Sequence, residues 1–245
     1  MKIITYNIQY GMGTASTKGY LNPTTYIREG KHSINNICEF FLQEKPDIIA
    51  LQEVDSGSIR SRNRNQIDTM AKVLQMKGQM FSCKYKRLLA KMPVLKKQGN
   101  AFLSQIDIEQ SRTHYLEHGN KRAVLIAQAN GITFLTVHLS IRRKVRLKQV
   151  FELAEIINDI DGPVIIAGDF NAQPDAKEIQ IFLSETKLTH SNQDFTYPSW
   201  KPKKKFDYIF TSPEITVKKS RVLDIEHSDH KPLLIEIEHP SLGSA

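Results

Sequence analysis

The chain has 245 residues, of which 40% are apolar and 24% charged, a balance typical of a globular protein that can bury a substantial core. No apolar run approaches the about 20 residues of a membrane-spanning helix, so the sequence predicts no transmembrane segment. A formal net charge of +8 excludes an acidic protein and favours partners with negative charge, such as nucleic acid, anionic lipid headgroups or phosphate esters.

The hydrophobic pattern predicts that strands and helices interleave along the first half of the chain. Alternating or short continuous apolar runs indicate strands, and apolar residues three or four positions apart indicate helices. In chain order, the predicted elements are a strand at 2–8, a helix at 25–43, a strand at 47–53, a helix near 67–74 and a strand at 100–104.

The second half of the chain begins with a predicted β-hairpin. Two apolar runs, 122–129 and 132–139, flank Asn130-Gly131, a dipeptide that favours a type I′ turn. The elements predicted after it are a helix at 142–159, a strand at 163–168, a short helix near 175–183 and strands at 206–211, 215–225 and 232–238.

Buried and half-exposed strands both occur, with helices between them. This combination favours an α/β fold in which sheets pack together with helices outside, rather than one fully parallel sheet. No linker or repeat interrupts the pattern. We therefore predict one domain over 1–245, with a core at 1–239 and a frayed C-terminal tail at 240–245.

The N-terminus and the cysteines bear on the cellular compartment. The first residues lack the long apolar stretch and the small-residue cleavage site of a secretory signal. The two cysteines, Cys38 and Cys83, are far apart; a reducing compartment is the simpler interpretation, and a single disulfide is the alternative. We expect a cytoplasmic protein, and a monomer.

Lysine and arginine are concentrated in three runs, at 84–97, 141–148 and 200–205. A single run of this kind is usually a solvated surface. Three runs in a chain of this size favour an anionic partner.

Polar residues stand at the ends of most predicted strands. They are Asn7, Glu53, His138, Asp169, Asn171, Asp207, Asp229 and His230. Each alone is explained equally well as a turn, cap or surface residue. Loops that leave one edge of a sheet are where active sites collect, so the whole set indicates a site. Clustered carboxylates need a neutralising cation, and oxygen ligands without thiolates favour Mg²⁺ or Mn²⁺ over zinc.

The motifs that carry these residues resemble those of a known family. In chain order they are TYNIQYG, LQEVD, GNAFLS, TVHLS, GDFNAQPD, FDYIFTS and SDHKPLL. Their types and order resemble the endonuclease/exonuclease/phosphatase superfamily of metal-dependent phosphohydrolases, and most of all its uncharacterised bacterial members. The resemblance implies a four-layer α/β/β/α sandwich, with two mixed β-sheets packed face to face, helices outside and a site at one end.

The same resemblance implies a metal site. Glu53 corresponds to the main metal ligand, Asn7 to the residue that orients metal and phosphate, and Asp229 to the acidic neighbour near the metal. The implied cofactor is Mg²⁺ or Mn²⁺.

The remaining polar residues receive catalytic roles by the same resemblance. Asp169 corresponds to the residue that positions or deprotonates the attacking water, and Asn171 to the amide that holds the phosphate or that water. His230 and His138 correspond to phosphate contacts, and Asp207 to the residue that orients the His230 imidazole.

Departures from the family pattern reduce the number of substrate classes that the resemblance supports. Gln9 stands where abasic-site endonucleases carry an aspartate, and those enzymes lack a histidine at the position of His138. The GDFNAQPD string also differs from the motif of inositol polyphosphate 5-phosphatases. Neither branch is therefore favoured.

Three functions from different classes remain. The first is a metal-dependent hydrolase of phosphodiester bonds in nucleic acid, which the basic charge favours. The second is a hydrolase of a phospholipid headgroup or a small phosphate ester, and the third is a non-catalytic binding module on the same fold. Three basic residues are candidates for substrate binding, with solvated charge as the alternative: Arg62, Arg146 and Lys205. Arg60 and Arg64 lie with Arg62 soon after Glu53, and the three could bind a second phosphate; solvated loop charge explains them equally well.

Overall fold

A computed structural model describes residues 1–13, 30, 33–83, 91–191 and 194–238 of the chain. The strands within these residues are β1 (Lys2–Asn7), β2 (Ile48–Asp55), β3 (Gly78–Cys83), β4 (Gln98–Ser104), β5 (Gln110–Tyr115), β6 (Ala123–Ala129), β7 (Ile132–His138), β8 (Val164–Asp169), β9 (Asp207–Thr211), β10 (Val217–Val222) and β11 (Leu233–Ile237). The α-helices are α1 (Ser33–Glu44), α2 (Gln66–Val73), α3 (Arg143–Asn158) and α4 (Lys177–Thr186).

The strands form two mixed sheets. The first sheet has six strands in the order β10-β11-β1-β2-β4-β3, and the second has five in the order β5-β6-β7-β8-β9. Each sheet contains one parallel pair, β1 with β2 and β7 with β8, and the other pairs are antiparallel. The strands of a parallel pair end at the same edge of their sheet, so side chains at those ends lie side by side.

Three hydrophobic clusters hold the layers together. One lies between α1, α2 and the first sheet, the next between the two sheets, and the last between the second sheet and α3 with α4. Successive residues of a strand face different clusters: Ile4 the first and Ile3 the second, Ile165 the second and Ile166 the third. The layers therefore follow the α/β/β/α order, and the predicted sandwich is confirmed.

Most predicted elements are confirmed, with shifted ends. Helix α1 begins at Ser33, and residues 25–29 and 31–32 of the predicted helix lie outside the described residues, as do 84–90 and 240–245. In the hairpin, Asn130 and Gly131 have φ angles of 57° and 70°, as a type I′ turn requires. No helix in the described ranges has the length and apolar content to cross a bilayer.

The sequence pattern does not predict β3 and β5, and both lie at an edge of a sheet. Most of their side chains are exposed or half-buried. Because an edge strand that packs little on either face needs no alternation of apolar residues, its sequence carries little signal.

Candidate active site

Asp169 lies where the two sheets meet at one end of the sandwich. It is the last residue of β8 and pairs in register with His138, which ends β7, and with Asp207, which begins β9. From the first sheet, Asn7 at the end of β1 donates a side-chain hydrogen bond of 3.1 Å to Asp169 Oδ2. Four predicted site residues thus meet at one point.

Gly168 allows β8 to approach β7 closely just before Asp169. A Cβ atom at this position would lie 2.0 Å from the backbone oxygen of Val137, far inside van der Waals contact. Only glycine leaves that space free, so the position of Asp169 against His138 depends on a residue without a side chain.

Asn171 is fixed by the turn that follows β8. Its φ angle is 51°, a conformation that asparagine tolerates better than most residues. Its backbone N–H donates to Asp169 Oδ1 at 2.9 Å, and its side-chain Nδ2 donates to the carbonyl of Leu139 at 3.2 Å. The turn therefore ties Asp169 and Asn171 together, as the spacing of the motif predicts.

His230 forms a hydrogen-bonded pair with Asp207. Its Nδ1–H donates to Asp207 Oδ2 at 2.8 Å, which leaves Nε2 directed towards Asp169 Oδ2 at 3.9 Å. Burial opposes the charged imidazole, but the Asp207 carboxylate, aided by Asp169 and Asp229, outweighs it and raises the pKa of His230 to about 10. His230 is therefore a cation at neutral pH.

His138 faces Asp169 from β7, which lies on the other side of β8 from the strand β9 that carries Asp207. Its Nε2 lies 3.3 Å from Asp169 Oδ2, and its Nδ1 lies 3.8 Å from Glu53 Oε1. The ammonium of Lys121 contacts His138 Nε2 and lies 3.6 Å from Glu53 Oε1. Lys121 precedes β6 and belongs to no recognisable motif, so the sequence alone does not single it out.

Glu53 enters the site from a β-bulge. The register of β2 against β4 shifts between Leu51 and Val54, and Glu53 has a φ angle of 54°. A bulge redirects a side chain that would otherwise follow the alternation of the strand. A glutamate with positive φ is also strained, and such strain is frequent at functional positions.

The segment before β11 brings Asp229 beside Asn7. Ser228 Oγ donates to the backbone oxygen of Asn7 at 2.7 Å, and the backbone oxygen of Asp229 accepts from Ser199 N at 2.8 Å. Burial raises the pKa of Asp229, and the negative charge of Glu53 adds to this increase despite the opposing charge of His230.

Burial also raises the pKa of Asp169 to about 6, although the positive charges of His230 and Lys121 act in the opposite direction. A carboxylate with this pKa is mostly ionised at neutral pH and is a stronger base than an exposed aspartate. It can therefore accept a proton from a neighbouring water.

One cavity of about 500 Å³ unites these groups. The predicted residues that line it are Asn7, Glu53, His138, Asp169, Asn171, Asp229 and His230. Asp207 is buried behind His230. Four further lining residues are not among the predicted site residues: Tyr10, Lys121, Tyr197 and Phe206. The cavity is also lined by Arg60, from the arginines after Glu53, and by Lys204, from the basic run 200–205.

The three predicted substrate-binding residues do not line this cavity. Arg62 is exposed on the loop after β2. Arg146 is buried, and its guanidinium donates to Glu178 Oε1 at 2.7 Å. Lys205 is also buried, with Nζ 3.3 Å from His190 Nδ1 and 4.7 Å from the centre of the Tyr208 ring.

The donor set fits a divalent metal ion. Asp169, Asp207 and His230 each offer one ligand atom, and these atoms lie within 4.8 Å of one another. Glu53 and Asp229 add carboxylates to the same cavity. Burial raises the pKa values of Asp169 and Asp229, and repulsion from neighbouring carboxylates adds to the increase. A bound cation would offset this repulsion between the acids. Oxygen donors are the ligands that Mg²⁺ and Mn²⁺ prefer.

The fold is shared with solved structures at low sequence identity. A functionally unknown conserved protein from Enterococcus faecalis is 18% identical, with a TM-score of 0.75 over 98% of this chain and 100% of its own. An endonuclease/exonuclease/phosphatase from Beutenbergia cavernae is 20% identical, with a TM-score of 0.73 over 100% of this chain and 73% of its own. A mannosyl-6-phosphatase from Bacteroides thetaiotaomicron is 17% identical, with a TM-score of 0.72 over 97% of this chain and 99% of its own.

At these sequence identities, the likeness establishes a shared fold and does not establish a shared function. No curated protein matches the chain. Residues 4–230, however, match the family described as the endonuclease/exonuclease/phosphatase family. This match spans most of the 245 residues. The chain belongs to the endonuclease/exonuclease/phosphatase family.

Proposed function

We propose that the protein is a divalent-metal-dependent phosphodiesterase that hydrolyses nucleic acid. The observation that carries the proposal is the position of Asp169, whose Oδ2 lies 3.3 Å from His138 Nε2 and 3.9 Å from His230 Nε2. One base and two imidazoles therefore converge in a cavity that also contains Glu53 and Asp229. Phosphodiester hydrolysis requires this combination of proton acceptor, hydrogen-bond donors and metal ligands.

Glu53, with Asn7 and Asp229, would hold the metal ion. Asn7 ends β1, Glu53 lies in β2 and Asp229 precedes β11, and these three strands are neighbours in the first sheet. Strand pairing therefore sets the spacing of their oxygens. When bound, a divalent ion polarises the phosphoryl oxygens and offsets their negative charge. The cluster of Asp169, Asp207 and His230 is the alternative position. We favour the first because Asp207 and His230 are already bonded to each other at 2.8 Å.

Asp169 acts as the proton acceptor. A water oxygen attacks phosphorus in line with the leaving oxygen, and its proton passes to the Asp169 carboxylate. The new P–O bond forms as the bond to the leaving oxygen breaks, and the leaving oxygen takes a proton from solvent. Asn7 holds Asp169 at 3.1 Å, so the acceptor is oriented before substrate arrives.

The two histidines and Asn171 bind the phosphoryl oxygens. His230, held by Asp207, is a cation, and its Nε2–H donates to an oxygen on which negative charge increases during the reaction. Lys121, whose ammonium contacts His138 Nε2, provides a second positive edge to the cavity. Asn171 is fixed in the turn after Asp169 and offers its side chain to the same phosphate.

A hydrolase of phospholipid headgroups is the second candidate. Ile141 lines the cavity yet is 71% exposed, so an apolar side chain projects from the rim of the site. An exposed apolar residue beside a catalytic cavity suits contact with a lipid surface.

The test compares bis-p-nitrophenyl phosphate with p-nitrophenyl phosphate in Mg²⁺, in Mn²⁺ and in EDTA. We expect metal-dependent hydrolysis of the diester, abolished by EDTA. Preference for the monoester would instead indicate a phosphatase, and inactivity with every metal would favour a binding module. Nicking of supercoiled plasmid, measured beside a panel of phospholipids, then separates the nuclease from the lipid hydrolase.

A further inference from the structure

Two cations line the catalytic cavity, each over an aromatic ring. Arg60 Cζ lies 4.9 Å from the centre of the Tyr10 ring, and Lys204 Nζ lies 5.6 Å from that of Phe206. All four residues line the cavity of Asp169. Arg60 follows β2 of the first sheet and Lys204 precedes β9 of the second, so the two cations are carried by segments of different sheets.

The loop that carries Arg60 is built around a buried carboxylate. Asp55 is fully buried and accepts hydrogen bonds from Gly57 N at 2.9 Å, Ser58 N at 2.6 Å and Ser61 Oγ at 3.1 Å. Gln66 links this loop to Tyr10 by donating to its backbone oxygen at 2.8 Å. The backbone segments that carry Arg60 and Tyr10 are therefore held in place by hydrogen bonds.

The segment that carries Lys204 is also well ordered by hydrogen bonds. Lys204 N donates to Tyr197 O at 2.9 Å, and Tyr197 N donates to Lys204 O at 3.0 Å. The Tyr197 ring in turn packs against His230, with ring centres 4.9 Å apart. Tyr197 therefore contacts both Lys204, through its backbone, and the proposed catalytic residue His230, through its ring.

Both cations are available to an external anion. Among the residues that the structure describes, no carboxylate oxygen lies within the 4.0 Å that defines an ion pair with Arg60 or Lys204. Positive charge combined with aromatic side chains in one cleft is a feature of proteins that bind single-stranded nucleic acid.

The cavity also continues past the catalytic groups. A second cavity of about 290 Å³ shares Lys121 and Ile141 with the first and extends to Arg142 at the start of α3. The two cavities are therefore neighbours, with the positive residues Lys121 and Arg142 beside them. A substrate longer than a single phosphate ester could contact both.

We propose that Arg60 and Lys204 bind the phosphates on either side of the scissile one, so that the preferred substrate is an oligonucleotide rather than a diester with uncharged flanks. This inference rests on the proposed function and adds its substrate selection. Each cation contributes a contact that a substrate with one phosphate cannot make. Loss of either should therefore raise KM for an oligonucleotide more than it affects kcat.

The test compares a short fluorescent oligonucleotide with bis-p-nitrophenyl phosphate in wild type, Arg60→Gln and Lys204→Gln. Matched controls are Arg62→Gln and Lys203→Gln, which remove the same charge one or two positions away and outside the cavity. We expect the KM for the oligonucleotide to rise about two- to fivefold in the cavity variants, beyond any change for the small diester. The slope of log KM against log salt should fall by about 0.7 for each lost contact.

The outcomes separate the two proposals. Equal losses on both substrates, or equal effects of the control variants, would overturn this inference and leave a phosphodiesterase without flanking phosphate sites. A wild type that cleaves the small diester and phospholipids but not the oligonucleotide would overturn it as well. A wild type inactive on every diester would overturn the proposed function and this inference together.

Discussion

The side-chain amide of Asn7 donates a hydrogen bond of 3.1 Å to Asp169 Oδ2, joining residues 162 positions apart in the chain. Asn7 ends a strand of the first sheet and Asp169 ends a strand of the second. The contact is buried, so water does not compete for it. The cavity therefore depends on the packing between the two sheets. If it is the proposed active site, disturbing either sheet at this end should lower activity.

Replacement of Asp169 by Asn should abolish turnover while the fold remains. The amide has the shape of the carboxylate but cannot accept a proton from water, and general-base catalysis contributes about 10²- to 10⁴-fold. We expect kcat on bis-p-nitrophenyl phosphate to fall by about that factor. Asp175→Asn, on the same loop and exposed, is the control. Near-wild-type hydrolysis in Asp169→Asn, with unchanged circular dichroism, would contradict the assignment.

Two substitutions distinguish the alternative metal positions. Glu53→Gln should weaken Mn²⁺ binding, measured by electron paramagnetic resonance, by about tenfold or more. Asp207→Asn should retain the metal and lose kcat, because Asp207 orients His230 through a 2.8 Å hydrogen bond. The reverse pattern would place the ion in the cluster of Asp169, Asp207 and His230.

The positions of strand-terminal residues could be predicted from the sequence because apolar runs end directly at them. Asn7, His138 and Asp169 are the last residues of β1, β7 and β8, and strand pairing alone sets their neighbours. The bulge at Glu53 has no such signal, yet its motif was sufficient to place it in the site.

The loop residues of the site could not be predicted in the same way. Arg60, not Arg62, reaches the cavity because the buried Asp55 carboxylate folds the loop around itself. Lys204, not Lys205, faces the cavity because neighbouring residues of an extended segment point in opposite directions. In a run of consecutive lysines, composition does not show which residue that is.

The pKa of His230 gives the pH dependence of stability a defined sign. Its pKa rises from about 6.5 in the unfolded chain to about 10 in the folded one, so folding favours the protonated imidazole. The resulting stabilisation is fully present below about pH 6.5 and is lost as the pH approaches about 10. We expect the Tm of the metal-free wild type to fall over this range more steeply than that of Asp207→Asn. Parallel Tm curves for the two proteins would contradict the pairing.

Arg146 should contribute to stability rather than to substrate binding. Its guanidinium donates to Glu178 Oε1 at 2.7 Å and to the carbonyl of Ser140 at 3.0 Å, and Glu178 is 1% exposed. Arg146→Met would leave that buried carboxylate with only the exposed Arg143, whose Nε lies 3.8 Å from Glu178 Oε2, and should cost up to about 3–5 kcal/mol in urea unfolding.

The double variant Arg146→Met/Glu178→Met should recover much of the stability lost in Arg146→Met, because it removes the buried charge that Arg146 no longer compensates. KM measured on the folded fraction is the second readout. An increase in KM without loss of stability would instead indicate that Arg146 binds substrate.

Gly168→Ala tests whether the approach of β8 to β7 positions Asp169. The added Cβ would lie 2.0 Å from Val137 O, so the two strands must separate. We expect a loss of about 1–3 kcal/mol in urea unfolding. We also expect a fall in kcat, because Asp169 would move relative to His138.

Gly162→Ala is the matched control for this clash. Gly162 has a φ angle of 85° but nothing within 4 Å of the added Cβ, so alanine there causes backbone strain without a collision. This strain should cost about 1–2 kcal/mol and leave the geometry at Asp169 unchanged. If Gly168→Ala retained full kcat and lost no more stability than Gly162→Ala, the close contact between the strands would not be what positions the catalytic carboxylate.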